Sequence, residues 1–216
     1  MPNLCRYAVL TVVAAGSISP LAAQKKPITQ GLVTAAVAGQ GVAIIPIEMV
    51  VVDPSVAPNT VPGDRPTIRR WVDSLITDGA LTRAPEVNWV SPVELRRIAR
   101  RGGGLVPNPD QMGQSVMRGW SITSVPDPLR SNLRKLVAVA GGWRYALIPA
   151  ALVFTTDSTG VLAANLSVLL ADTRTGRVVW RSMAKGAGGS ADQVLGKAVA
   201  TIFPIEGADP TNPSAP

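Results

Sequence analysis

The chain has 216 residues, of which 46% are hydrophobic, 16% charged and 4% aromatic, with a formal net charge of +7. Val, Leu, Ile and Ala are plentiful enough to bury roughly 70% of the unfolded surface, which excludes overall disorder. Histidine is absent and Cys5 is the only cysteine, which excludes Ser–His and Cys–His dyads, His-ligated haem and the usual nitrogen–sulfur zinc site.

Residues 1–23 read as a secretory signal peptide. Arg6 supplies the positive start, Tyr7 to Ile18 the apolar stretch, and Leu21-Ala22-Ala23 a small-residue approach to cleavage before Gln24. The stretch is shorter than the ~20 residues a bilayer needs, so a membrane anchor is the weaker reading. Cys5 leaves with the signal. The mature protein is therefore expected without disulfides, secreted to the periplasm, and without a transmembrane segment after cleavage. Residues 24–41 read as an N-terminal extension in which Leu32–Ala38 fits a short strand or a turn of helix. Residues 42–205 read as a single α/β domain, and 206–216 as a polar, proline-rich, disordered tail.

Val42 to Val52 is β-branched and nearly continuous, as expected of a strand buried on both faces. Pro54, Pro58, Pro62, Gly63 and Pro66 mark a loop. Ile68, Trp71, Val72, Leu75 and Ile76 then share one helical face, with Gly79 as the expected stop. Val87–Val90 is a second strand, and Ser91-Pro92-Val93-Glu94 has the form of a capping box opening a helix to Arg101. Asn108-Pro109 opens a lesser helix through Met112, Val116 and Trp120. Asp127-Pro128 opens another, with Leu129, Leu133, Leu136 and Val137 on one face and Gly141 at its end.

The period then changes to two. Trp143–Thr155, Val161–Ala171 and Arg177–Ala184 read as strands of an antiparallel meander, joined by turns at Asp157–Gly160 and Asp172–Gly176. In the middle one Leu162, Ala164, Leu166, Val168 and Leu170 face the core, while Asn165 and Ser167 face away. A last helix carries Val194, Leu195, Ala198, Val199 and Ile202. The order β-α-β-α-α-β-β-β-α predicts an α/β (α+β) fold, a single mixed sheet of about five strands packed by helices, its first two strands parallel.

Several strings resemble the N-terminal domain of TolB and the bacterial envelope domains of the CsgG, FlgO and LpoB type. Val42-Ala43-Ile44-Ile45-Pro46 takes the form of their opening strand, and Asp172, Thr175, Gly176 and Trp180 match their closing Asp-x-x-Thr-Gly-x-x-x-Trp hairpin. The resemblance implies a TolB N-terminal-like fold over about Val42 to Phe203 and a role in the cell envelope.

Candidate chemistry is sparse. Gly186, Gly188, Gly189 and Ser190 precede the last helix, where exposed amides suit an anion; a flexible connection is the plainer reading. Glu48 inside an apolar strand is either a base in a cleft or, on better grounds, a strand-end or solvent-facing residue. The carboxylates lack metal-ligand spacing, and no cofactor or metal is expected. The five tryptophans suit core filling before a sugar platform. Arginine outnumbers lysine sixteen to five, and Arg96, Arg97, Arg100 and Arg101 form the clearest candidate interaction face. Basicity in a secreted chain without a nucleic-acid motif points to an envelope protein partner or an anionic envelope component, not to nucleic acid. The first expectation is thus a non-catalytic envelope interaction module. A binder of small anionic ligands or glycans is the alternative, and a hydrolase-type enzyme comes third.

Overall fold

The computed structural model describes residues 30–205. The expected signal with its Cys5, the first residues of the N-terminal extension and the tail 206–216 lie outside the described residues. One mixed sheet contains β1 (Gly41–Ile44), β2 (Val50–Val52), β3 (Asn88–Val90), β4 (Tyr145–Thr156), β5 (Leu162–Asp172) and β6 (Val178–Gly188). Its helices are α1 (Arg65–Arg83), α2 (Pro92–Arg101), α3 (Leu129–Val139) and α4 (Ala191–Ile202). The strand order is β3-β1-β4-β5-β6, with β2 also on β4. β1 is parallel to β3 and β4, and β4 to β6 form an antiparallel meander. This is the mixed α/β sheet expected, with six strands in place of about five.

The extra strand comes from a break. The expected continuous strand over 42–52 is two pieces, β1 against Tyr145–Leu147 and β2 against Leu152–Phe154 of the same β4. Pro46 has no N–H to give to a ladder, and the next N–H, of Ile47, goes to Asp73 instead of a strand. β4 answers with a bulge between Pro149 and Ala151. The bulge shifts the pleat by one residue, so Leu147, Leu152 and Phe154 all face the same core despite their mixed parity.

Two helical layers cover the sheet. Val72, Ile76 and Ala80 of α1 and Val194, Leu195 and Val199 of α4 bury Ile44, Leu147, Phe154 and Leu166 on one face. Leu95 of α2 and Leu129, Leu133 and Leu136 of α3 bury Ala43, Ile45, Ala146 and Ile148 on the other. Leu162 to Leu170 of β5 alternate toward the α1–α4 layer as the period of two predicts.

Three local expectations need correction. Asp64 caps α1 by accepting the Thr67 N–H at 3.0 Å, and the helix then passes through Gly79 to Arg83. Gly79 is a close approach and not a stop, since a Cβ there falls 2.2 Å from Cγ1 of Val199. Asn108-Pro109 opens no α-helix; the segment forms two 3-10 turns, Pro109–Gln111 and Gln114–Arg118, parted by Gly113 at φ 80°. The expected glycine loop is largely strand, because β6 runs to Gly188. A Cβ on buried Gly186 falls 1.8 Å from the Val194 carbonyl oxygen, so this glycine lets α4 lie directly on β6.

The tryptophans all pack. Trp71 and Trp180 sit half-buried against the α1–α4 core and donate their indole N–H groups to Asp192 and to the Gly31 carbonyl. Trp89 meets Phe203 edge-on, Trp143 packs on the opposite core, and Trp120 lies under the Arg181 guanidinium. Replacing Gly186 by Ala is expected to destabilise the protein by about 3 kcal/mol, because backbone must move. Gly189→Ala, which meets nothing within 4 Å, is the control. Urea unfolding curves in which the two variants coincide would show that α4 does not rest on Gly186.

Candidate functional site

β1 and β3 are adjacent and parallel, but the chain leaves them toward opposite layers, to α1 and to α2. In open α/β sheets such diverging connections leave a crevice at the carboxyl ends of the strands, where ligands bind. Here the protein's own groups fill that crevice. Asp73 of α1, 3% exposed, accepts the Ile47 N–H at 2.8 Å and the Arg96 guanidinium of α2 at 2.5 Å. Arg96 also contacts Asp110 at 2.7 Å. Gln114, fully buried, donates to the carbonyls of Pro46 at 2.8 Å and Pro109 at 3.1 Å, and its Oε1 has no partner among the described residues.

The electrostatics follow from burial. Loss of water pushes the Asp73 carboxyl up to about 6, against the pull of the Ile47 amide and the Arg96 charge. For Arg96 burial opposes the charge, and the bonds to Asp110 and Asp73 outweigh it. At neutral pH this is an ionised cluster joining both layers across the sheet end.

The arginine face is consequently divided. Arg96 turns inward, with its side chain 17% exposed, while Arg97 pairs with Glu94 one turn back. Arg100 and Arg101 are exposed at the end of α2. Ser91 caps α2 by accepting the Glu94 N–H at 3.2 Å. The glycine-rich stretch has also spent its nearest donors. The Gly189 N–H goes to Gln193 Oε1 at 2.9 Å, and Ser190 Oγ accepts from the Gln193 N–H at 3.3 Å. Gly186 and Gly188 lie within β6, and the nearby Lys197 ammonium donates to the Ala187 carbonyl.

An open site lies beside the plugged crevice. A groove of about 290 Å³ runs along Glu48 to Val51, walled by Arg65, Ile68 and Arg69 of α1 and closed by Ser115. Glu48 falls between β1 and β2, half-buried in this groove, and accepts the Ser115 N–H at 3.1 Å; it lies in a cleft and not at the solvent-facing position the sequence favoured. The register fixes which backbone groups face the groove. Met49 accepts from Leu152 and Asp53 donates to Phe154, each at 2.9 Å, so the odd-numbered residues bond β4. The N–H and C=O groups of Val50 and Val52 therefore point away from the sheet. Pro46 inside an apolar run was the sequence signal for this edge.

Chemically the groove offers unpaired main-chain groups, apolar side chains, the Arg65 and Arg69 side chains, and the carboxylate of Glu48. Neither Arg65 nor Arg69 forms an ion pair among the described residues. Among those residues no three His, Cys, Asp or Glu side chains gather in a metal-binding group, and no helix is long and apolar enough to cross a membrane.

No protein-family model matches the chain, and no curated protein matches it. Solved structures do. The LpoB C-terminal domain from Escherichia coli aligns at 15% identity over 71% of this chain and 85% of its own, with a TM-score of 0.39. The lipoprotein GNA1162 from Neisseria meningitidis aligns at 13% identity over 70% and 84%, with a TM-score of 0.41. The PelC dodecamer from Paraburkholderia phytofirmans aligns at 12% identity over 76% and 88%, with a TM-score of 0.35. These likenesses are weak, and the fold assignment rests on the strand order and the two helical layers.

Arg96→Gln is expected to cost about 3 kcal/mol in urea unfolding, because it leaves the Asp73 charge buried and unmatched. Arg97→Gln, Arg100→Gln and Arg101→Gln are expected to leave the unfolding midpoint unchanged; equal losses across the four would restore a single arginine face. Asp73 adds a pH signature. A carboxyl that titrates near 6 when folded and near 3.8 when unfolded binds more protons in the folded state between those values. Its contribution to stability therefore falls as pH rises through that window and is weakest at neutral pH. Acidification from about pH 7 to 4.5 is expected to stabilise the wild type relative to Asp73→Asn by roughly 1–3 kcal/mol. Parallel stability–pH curves for the two proteins would refute the raised titration.

Proposed function

We propose that the protein is a secreted, non-catalytic accessory module of the cell envelope that binds another protein through the groove beside β2. The observation that carries this reading is the open edge of β2, where a concave site meets outward-facing main-chain groups. Polar groups at the strand ends, where an α/β enzyme places its chemistry, are here engaged with one another as Asp73, Arg96 and Asp110. The signal-like N-terminus and the resemblance of the first strand and last hairpin to TolB-type envelope domains support the compartment. A small-anion or glycan binder has less support, because the Gly189 amide before α4 already serves Gln193, four tryptophans pack half-buried against the two cores, and Trp120 lies under Arg181.

The test is site-specific photo-crosslinking on the exported protein. A crosslinker at Val51, in the groove, is expected to yield a discrete protein adduct. The same group at Leu81, 52% exposed and one turn from the other end of α1, is expected to yield none. Identical adducts from both positions, or no adduct at Val51, would overturn the groove as the binding site.

A further inference from the structure

We infer that the segment received by this groove is an extended, acidic strand that adds to the edge of β2 and sets its carboxylates against Arg65 and Arg69. The inference rests on the reading of the groove as a protein-binding site and names the chemistry of the partner. Its first support is the vacancy in the sheet. β3 pairs with Gly41–Ala43 and ends at Val90, so no strand of the described chain lies beyond β2. Val50 and Val52 each turn an N–H and a C=O into that vacancy, and neither bonds another described residue. An extended backbone matches such a row because its own groups repeat at the same two-residue spacing.

The second support is charge. Arg65, Ile68 and Arg69 stand at i, i+3 and i+4, so both guanidinium stems lie on one side of α1 with an apolar residue between them. Neither has a carboxylate partner among the described residues, which is also true of Arg100 and Arg101, but Arg65 and Arg69 stand on the groove wall. A guanidinium beside a row of main-chain donors selects a carboxylate-bearing strand over a neutral one. The carboxylate of Glu48, held by the Ser115 N–H, lies in the same groove. The residue of the partner that faces Glu48 is consequently not acidic. Val51 and Val52, 37% and 39% exposed, provide apolar contact on the two faces of the edge. The recognition pattern is acidic on the α1 side and apolar on the alternate positions.

The test uses labelled, end-blocked peptides of about eight residues, a usual strand length. Valine alternates with Glu, Gln or Lys, and binding to the purified protein is read by fluorescence anisotropy. The Glu peptide is expected to bind at least tenfold tighter than the Gln peptide and to weaken as salt rises. Arg65→Gln with Arg69→Gln is expected to abolish that preference, whereas Arg100→Gln with Arg101→Gln leaves it intact. Val52→Pro removes one outward N–H at an edge position where proline is tolerated, and is expected to weaken every peptide. Should that variant unfold, a Glu peptide N-methylated at alternate amides replaces it and is expected not to bind. Equal binding of Glu and Gln peptides at the groove would overturn the acidic specificity and leave the groove reading standing. Undiminished binding of the N-methylated peptide would overturn strand addition. Adducts at Val51 together with no binding of any peptide would overturn both features of the segment but not the site.

Discussion

The structure turns on how one amide is satisfied. Pro46 interrupts the ladder of the first strand, and the N–H of Ile47 must find an acceptor inside a fully buried stretch. Asp73 provides it, at the cost of placing a carboxylate where water is scarce. That charge requires a counter-charge, and Arg96 reaches it from the opposite helical layer, with Asp110 completing the cluster. A missing backbone donor thus leads to a bond joining α1, α2 and the 109–118 segment across the end of the sheet. Because β1 cannot continue past this point, β2 re-enters against the far half of β4.

The remainder of the sheet adapts to that re-entry by changes of phase. The bulge in β4 brings Leu152 and Phe154 under α1 and α4, and a second irregularity between β5 and β6 inserts Val179 before Trp180. Trp180 then faces the α1–α4 core and donates to the Gly31 carbonyl at 3.1 Å. Asp172 holds the intervening turn by accepting the N–H groups of Arg174 and Thr175, each at 2.9 Å, with Gly176 at φ 78°. The hairpin string read in the sequence is therefore a turn device joined to a core anchor. Close contacts at Gly79, where the Val199 side chain sits, and at Gly186, where the α4 backbone sits, bring α4 against α1 and β6.

Local signals were legible and long-range ones were not. The period of two in the meander, the Ser91 cap and the apolar stripe of α3 each depend on neighbours within a few residues, and the structure has all three. Gly79 and Gly186 misled because a glycine that ends an element and one that admits a neighbouring helix look alike in sequence. Asn108 does cap, accepting the Asp110 N–H, yet Gly113 in the left-handed region stops the turns from growing into a helix. Arg96 looked like its neighbours on α2 because its partners are 23 and 14 residues away, a separation no helical spacing reveals. Pro46 was visible inside the apolar run. Its consequence was not, since a proline at a strand edge and one that splits a strand differ only in what lies across the ladder.

The plugged crevice and the open edge are two results of the same break. Had the crevice been left polar and empty, the end of the sheet would resemble a ligand site, and the first strand would have no rigid tie to either layer. With Asp73 and Arg96 locked together, the strand end is held by groups 3% and 17% exposed. The backbone of β2 is correspondingly fixed by its bonds to β4 on one side. A preformed edge loses little freedom on accepting a strand, so even the few main-chain bonds available at Val50 and Val52 count toward binding. Specificity must then come from beside the edge, where α1 brings its first turns. The ion cluster ties the helix and the strand end together from within, and Arg65 and half-buried Arg69 of that helix line the groove.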